Sequence, residues 1–456
     1  MRKLALTVCL GLLAACASVP VEVPARQDPI RLDLPPMKRF TQPQVTAPMR
    51  PNADIARDFL NLAFEMESGR KLPIMTRFSG PIRVRVASGA PASLGPDLSA
   101  LLGRLQREAG LDIARATDDS GPAQITIQAV PHAELQRLVP QAACFVVPRV
   151  SSWSDYKRQR RSGLVDWSTL ERRETATIFL PSDVSPQEIR DCLHEELAQS
   201  LGPLNDLYSL PDSIFNDDNF HTVLTGFDML ILRTYYAPEL ANGMTRDQVA
   251  ARLPALLARL NPAGQHSTGS TGGSPTPRAW ITAIETALGP NTAASRRRSA
   301  AEEAVRLSQS AGWQDTRAGF SLFALGRLTL GQDPTLSLSS FLAAEKIYSG
   351  SALTRVQQAH VGMHLAAFSL SGGQPESALT LINANLAAAA AGENAALLAT
   401  MLMIKAEALD AMNRPAEARA VRLDSLGWAR YGFGSDKEVR ARLNEIAALV
   451  PRRQQL

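Results

Sequence analysis

Cys192-Leu193-His194-Glu195-Glu196-Leu197-Ala198-Gln199-Ser200-Leu201-Gly202 is the stretch on which the reading of this chain turns. Ile189, Leu193, Leu197 and Leu201 recur every four residues and predict one buried stripe on a helix. Ser185, Pro186 and Glu188 supply an N-cap, a first-turn proline and the third-position carboxylate of a capping box. Gly202-Pro203 ends the helix. Glu195 and Gln199 lie four apart, Glu196 and Gln199 three apart, so all three can point into one cleft. Residues 187–220 carry eight acids and a single arginine.

Upstream, Asp54 to Glu67 places Ile55, Phe59, Leu62 and Phe64 at helical spacing. Ile82 to Val86 alternates as a strand. Leu98 to Ala109 is a second helix, stopped by Gly110. Ile125 to Val130, Cys144 to Val150 and Thr175 to Leu180 are further strands, rich in β-branched residues and bounded by Pro or Gly. Lys157-Arg158-Gln159-Arg160-Arg161 reads as a solvated charged loop. Downstream, Leu224 to Tyr236 is a helix stopped by Pro238, and another starts at Met244 and ends before Pro262.

Residues 264–277, rich in Gly, Ser, Thr and Pro, read as a flexible linker. Only helical patterns follow. Ala318 to Pro334, Ala359 to Pro375 and Ala399 to Pro415 each end in a turn signal and a proline: Gly331-Gln332-Asp333-Pro334, Gly373-Gln374-Pro375 and Asn413-Arg414-Pro415. The period of about 40 residues, two helices per unit, predicts an α-solenoid. Leu325-Gly326 … Gly331 resembles a tetratricopeptide repeat (TPR) with longer connections.

At the other end, Arg2 and Lys3 precede an apolar run, Leu4 to Leu13, too short to span a bilayer. Leu13-Ala14-Ala15-Cys16 resembles a lipobox, which implies cleavage before Cys16 and lipid attachment to its thiol. Ala17 rather than aspartate then points to the outer membrane, by analogy with enteric lipoproteins. Residues 16–50, with Pro20, Pro35-Pro36, Pro43 and Pro48, read as an extended tether. Of the four cysteines, Cys9 leaves with the signal and Cys16 takes lipid. Cys144 and Cys192 remain, and an oxidising compartment predicts a disulfide between them. A formal charge of +4 on 456 residues points to no nucleic-acid partner.

The chemistry rests on the central helix. A zinc peptidase needs two imidazoles one helical turn apart, with a glutamate beside the first as general base. His194-Glu195 starts such a motif, but residue 198 is alanine. Shifted by one residue, the stretch resembles the metzincin motif. Glu196 stands at the general base and Gly202 at the turn glycine, while Glu195, Gln199 and Asn205 occupy the three ligand positions. Ser213-Ile214-Phe215 resembles the Met-turn with phenylalanine for methionine, and Leu224-Thr225 … Asp228 … Tyr235 resembles the closing helix. The same residues, with Cys192, Asp206, Asn216 and Gly243-Met244, resemble the DUF2927 family of proteobacterial lipoproteins over about residues 80–255. That resemblance implies a periplasmic location and no stated activity.

Three readings follow. The first is a zincin-like fold without zinc, whose cleft of Glu195, Glu196, Gln199, Asn205 and Asp206 binds a peptide or protein and needs no cofactor. The second is a hydrolase with one divalent metal ion on Glu195, Gln199 and Asn205, with His194 or His221, and Glu196 as the catalytic base. The third makes these carboxylates purely structural. His360 and His364, four apart, read as a packed helix face. The expected architecture is an α+β zincin-like domain over residues 51–263, with signal and tether before it. An all-α TPR-like domain over 278–450 would follow, offering a concave surface to a protein partner.

Overall fold

The computed structural model describes residues 34–41, 47–48, 50–117, 122–265, 275–290 and 292–451. The signal segment and Cys16 lie outside the described residues, as does most of the Gly/Ser linker. Residues 35–456 form one compact body.

The first half of that body alternates helix and strand. α1 (Asn52–Phe64) leads into β1 (Ile82–Val86), α2 (Leu94–Glu108), β2 (Ile113–Arg115) and β3 (Ile125–Val130). α3 (His132–Leu138), β4 (Phe145–Pro148), α4 (Trp153–Gln159), β5 (Ala176–Pro181) and α5 (Pro186–Leu201) follow. The sheet runs β2-β1-β3-β5-β4, parallel except for β4, which pairs antiparallel with β5 at the edge. The class is therefore α/β, a correction to the α+β expectation. β2 is only three residues long, too short to show alternation, and α3 and α4 sit where loops were expected. With them in place, the strands are joined by crossovers that make parallel neighbours.

Apolar side chains cover both faces of the sheet. On one face Ile82, Val84, Ile125, Ile127 and Ile178 join α2, α5 and α1 in the main core. On the other, Val130, Val147 and Phe179 meet Leu135 of α3 and Trp153 of α4. α6 (Gly226–Tyr235), α7 (Arg246–Ala250) and α8 (Leu253–Leu260) close the main core beside α1.

The second half is all helix: α9 (Arg278–Leu288), α10 (Ala294–Ser310), α11 (Thr316–Thr329), α12 (Pro334–Tyr348), α13 (Arg355–Ser371), α14 (Pro375–Ala391), α15 (Ala395–Ala411), α16 (Pro415–Phe433) and α17 (Asp436–Ala447). Sequential helices pack as hairpins, α11 on α12, α13 on α14 and α15 on α16. Their turns use left-handed residues where the repeat signature falls. Gly373 and Asn413, at φ of 73° and 60°, each end a helix two residues before the next one's first proline. Glycines let the hairpins close: a Cβ on Gly326 would stand 2.9 Å from the Phe341 ring, and one on Gly319 2.6 Å from Tyr348.

The two halves meet through the chain that leaves α5. Phe220 inserts among Phe320, Phe323, Tyr348 and His360, and Tyr208 packs edge-on against Trp280, ring centroids 5.1 Å apart. Gln357 Nε2 donates to the Pro211 carbonyl at 2.7 Å. Ala395 N–H donates to Gln187 of α5 at 2.9 Å, and Arg190 forms a buried ion pair with Glu393. The leading helices of the hairpins thus face the protein's own α/β half, and so does the trailing helix α16, which packs on α5 and whose Tyr431 Oη donates to Asp97 at 2.8 Å. The segment read as tether docks too: Phe40 stacks on Trp428 at 4.5 Å, and Arg430 donates to the Pro35 carbonyl.

Candidate functional site

α5 is built as its sequence requires. Ser185 Oγ accepts from Glu188 N–H at 3.2 Å, and the Ile189, Leu193, Leu197 and Leu201 stripe is buried. Cys192 is joined by a disulfide to Cys144 beside β4, with Cα atoms 5.9 Å apart. The far end is held by Arg173, which is fully buried. Its guanidinium donates to the carbonyls of Gln199, Ser200 and Gly202 at 2.5–2.7 Å, satisfying the helix's orphan acceptors. Gly202 is extended, at φ 178°, and its smallness matters for another reason: a Cβ there would lie 2.8 Å from the Tyr235 ring.

The motif residues converge around this helix. Asp228, in the first turn of α6, accepts from Ser213 Oγ at 2.5 Å, from Ile214 N–H at 3.1 Å and from Thr225 N–H at 2.8 Å. It therefore locks the Ser213-Ile214-Phe215 turn to the closing helix. His194 is 2% exposed, and its Nδ1 accepts from Leu224 N–H at 3.1 Å. Burial holds it well below the usual imidazole range, so it is a neutral core group. Asn205 donates to the Asn61 carbonyl at 3.1 Å, capping the end of α1. His221 faces the Pro211 carbonyl, and burial lowers its pKa to about 4. His360 and His364 pack among Phe220, Phe323 and Phe341.

Glu195, Glu196, Gln199 and Asp206 do come together, and they gather two carboxylates that the sequence reading did not place with them. One is Glu67. The apolar spacing predicts a first helix through Glu67, but α1 stops at Phe64, because Glu65 bridges to Lys71, and Glu67 lands on the turn beyond. There Gln199 Nε2 donates to it at 3.4 Å. The other is Asp217, which accepts from Tyr208 Oη at 2.5 Å. Glu67 and Asp217 are exposed at the mouth of the cleft, Glu195 and Asp206 are half-buried, and Glu196 at its floor is 4% exposed. A cavity of about 70 Å³ opens beside Glu195, Asp217 and Asn216.

The electrostatics are one-sided. Burial pushes the Glu195 carboxyl up from 4.5 to about 8, and Asp217, Glu67 and Asp191 push the same way. Burial, then Glu195 and Glu67, hold Glu196 well above the carboxylate range. Asp206 is raised by burial and by Glu67, Glu195 and Asp217, and its protonated carboxyl hydrogen-bonds to Glu67. Every charged group acting on these three is another carboxylate. One oxygen of Glu196 and one of Asp206 are buried with no hydrogen-bond partner.

Zinc does not fit this donor set. The three positions that the metzincin resemblance makes ligands hold one carboxylate, Glu195, and two amides, Gln199 and Asn205, with no imidazole among them. The Cys144 sulfur lies within 4.8 Å of Glu195 and Glu196 oxygens, but it is in the disulfide and offers no thiolate.

The class of protein is thus an α/β domain with an acidic cleft on its central helix, braced by an all-helical half. The family model described as "Protein of unknown function (DUF2927)" matches residues 52–255, which run from α1 into the first turn of α8 and hold every cleft residue. No curated protein and no solved structure matches the chain.

Proposed function

We propose that this chain is a lipid-anchored protein of the bacterial cell envelope that binds a protein or peptide partner without cleaving it. The observation that carries the reading is the donor set on α5: carboxylates and amides stand where a zincin needs imidazoles. A zincin ancestry is supported by the five strands that precede α5 and by the Gly202–Tyr235 and Ser213–Asp228 contacts that join its motif residues. A hydrolase would need Glu196 ionised as its base, and burial, with Glu195 and Glu67 beside it, pushes that carboxyl upward, against the ionised form.

The hairpins of α11 to α16 are read as TPR-like repeats. Their leading helices hold the α/β half, so the trailing helices α12 and α14, each buried along one stripe only, offer their outer faces to a partner. The anchor is read from Arg2-Lys3, the Leu4–Leu13 run and Cys16. Among the described residues no helix is long and apolar enough to cross a membrane. Lipid on Cys16 would hold the body at the outer membrane, facing the periplasm.

The test is a pull-down from envelope extract with the lipidated full chain, paired with zinc analysis and peptide- and peptidoglycan-cleavage assays. The expected result is a captured partner, no stoichiometric zinc and no cleavage. Bound zinc together with cleavage lost in Glu196→Gln would overturn the proposal.

A further inference from the structure

Pro35-Pro36-Met37-Lys38-Arg39-Phe40 lies along α16, and α16 is shaped to receive it. Lys38 N–H donates to the Gly427 carbonyl at 3.0 Å, and Arg430 Nη1 donates to the Pro35 carbonyl at 2.9 Å. Lys38 Nζ pairs with Asp424 and stands 5.5 Å from the centre of the Trp428 ring. Phe40 stacks on the same ring at 4.5 Å, and the Arg190 guanidinium of α5 lies 5.5 Å from the Phe40 ring centre. Alternate residues thus meet one tryptophan, as they do when a segment is extended. Gly427 sits inside a helix, where glycine is less favourable than alanine. The space it leaves is used: a Cβ there would lie 2.9 Å from Lys38 Cγ and 3.3 Å from the Pro36 carbonyl oxygen.

We propose that Pro35–Phe40 is a reversible latch, seated on α16 at Gly427 and Trp428, that shortens the free N-terminal chain when it is closed. No residue of the segment is fully buried. The Lys38 and Asp424 side chains are 47% and 41% exposed, so their ion pair is screened and weak. The hydrogen bonds and the aromatic stack must offset the ordering of six residues. Weak contacts set against chain entropy leave the open and closed states both accessible. When the latch opens, the chain next meets the body at Arg50, 1% exposed in its ion pairs with Asp58 and Asp212. Closing moves that point fifteen positions back to Pro35 and removes roughly 50 Å of extended reach, at about 3.3–3.6 Å per residue. Where Cys16 carries lipid, the latch then sets how far the body stands from the membrane. That consequence rests on the anchor proposed above; the latch itself rests only on its contacts.

The experiment is a trypsin time course on the full chain in detergent, with mass spectrometry of the cuts after Lys38 and Arg39, in wild type, Phe40→Ala and Gly427→Leu. Wild type should be cut there slowly with the body left intact, and both variants on the order of fivefold faster or more. Gly427→Leu should also melt at or above the wild-type temperature, since leucine favours helix and the body does not depend on the latch. Equal cutting rates in all three chains overturn the proposal. So does a Gly427→Leu chain that melts far below wild type and is cut throughout, because the segment would then be part of the core. The reach is read in phosphatidylethanolamine–phosphatidylglycerol vesicles carrying a dansyl lipid. Energy transfer from the body's tryptophans to that lipid should be weaker in Gly427→Leu than in wild type, and equal transfer overturns the shortening. A chain found without lipid refutes the anchor alone. A dye on its free Cys16 thiol then replaces the dansyl lipid, and the same difference is expected.

Discussion

Two acidic clusters flank α1, and they are built in opposite ways. At its N-terminal end Arg50, 1% exposed, ion-pairs with Asp58 at 2.8 Å and Asp212 at 2.9 Å and lies 3.6 Å over the Phe227 ring. Arg57 adds a second cation beside Asp54 and Asp58. Past its C-terminal end Glu67 meets Glu195, Glu196 and Asp206, and no cation acts on those three. Burial still raises Asp212, but Arg50 opposes it and the carboxyl rests at about 6, ionised at neutral pH; Glu195 is carried to about 8. A cluster with its own cation is complete within the chain and holds the fold together. One without it is complete only when a proton or something from outside arrives, which is why the second is the functional candidate.

The comparison breaks most visibly at Arg50. Arg50→Met should destabilise by about 3–5 kcal/mol in urea unfolding, since it strands Asp212 in the interior and leaves Asp58 to Arg57 alone. A loss under 1 kcal/mol would mean that Asp58 and Asp212 are already hydrated, and the contrast would collapse. Next in size is the clamp that fixes the second cluster's helix. Replacing Cys144 and Cys192 together by alanine should cost roughly 3–4 kcal/mol for a loop with a sequence separation of 48. No change in the urea midpoint would show that β4 and α5 are held by packing alone.

Much of this contrast could be read from sequence, and the part that could not has a physical reason. Ile82–Val86 and Ile125–Val130 were legible to the residue, because β-branched side chains alternate there. The hairpin turns were legible as well, since Gly373 and Asn413 announce a left-handed residue before a proline. α4 was read as a charged loop. Its signal, Ser152 followed by Asp155 three residues on, was present, and Ser152 Oγ does accept from Asp155 N–H. The cleft was legible only as far as one helix and its loop carry it: Glu195, Glu196, Gln199 and Asp206. Glu67 comes from a turn 128 residues before Glu195, and no periodicity reports a contact of that range. Asn205 and His194 had the right residue types for ligands, but the acceptor at Asn61 and the donor at Leu224 that engage them belong to other elements.

A smaller change of opposite sign sharpens the comparison. Glu196→Gln, with the shape kept and the ionisable proton gone, should stabilise the metal-free chain at pH 8 by on the order of 1–3 kcal/mol. Well below the ordinary carboxyl value of 4.5 it should do almost nothing, because there the wild-type carboxyl is protonated in the folded and unfolded chain alike.

The smallest effect is the most diagnostic of how the second cluster is charged. The folded pKa of Glu195 lies above its unfolded value, so the folded chain holds the proton more tightly. Its contribution is fully present below about pH 4.5 and is lost as pH rises through about 8. Burial sets most of this shift, and Asp217, Glu67 and Asp191 at the cleft add to it with the same sign, so nothing in the cluster reverses the slope. Melts of the chelator-treated chain between those limits should therefore show a falling melting temperature, and Glu195→Gln should flatten the fall. Arg50→Met supplies the internal control. Asp212, already raised to about 6, would be carried higher without its cation and would extend a slope of the same sign toward neutral pH. A wild-type melting temperature that rises across this window would mean that the cleft carboxylates are stabilised as anions, and the two clusters would then be alike.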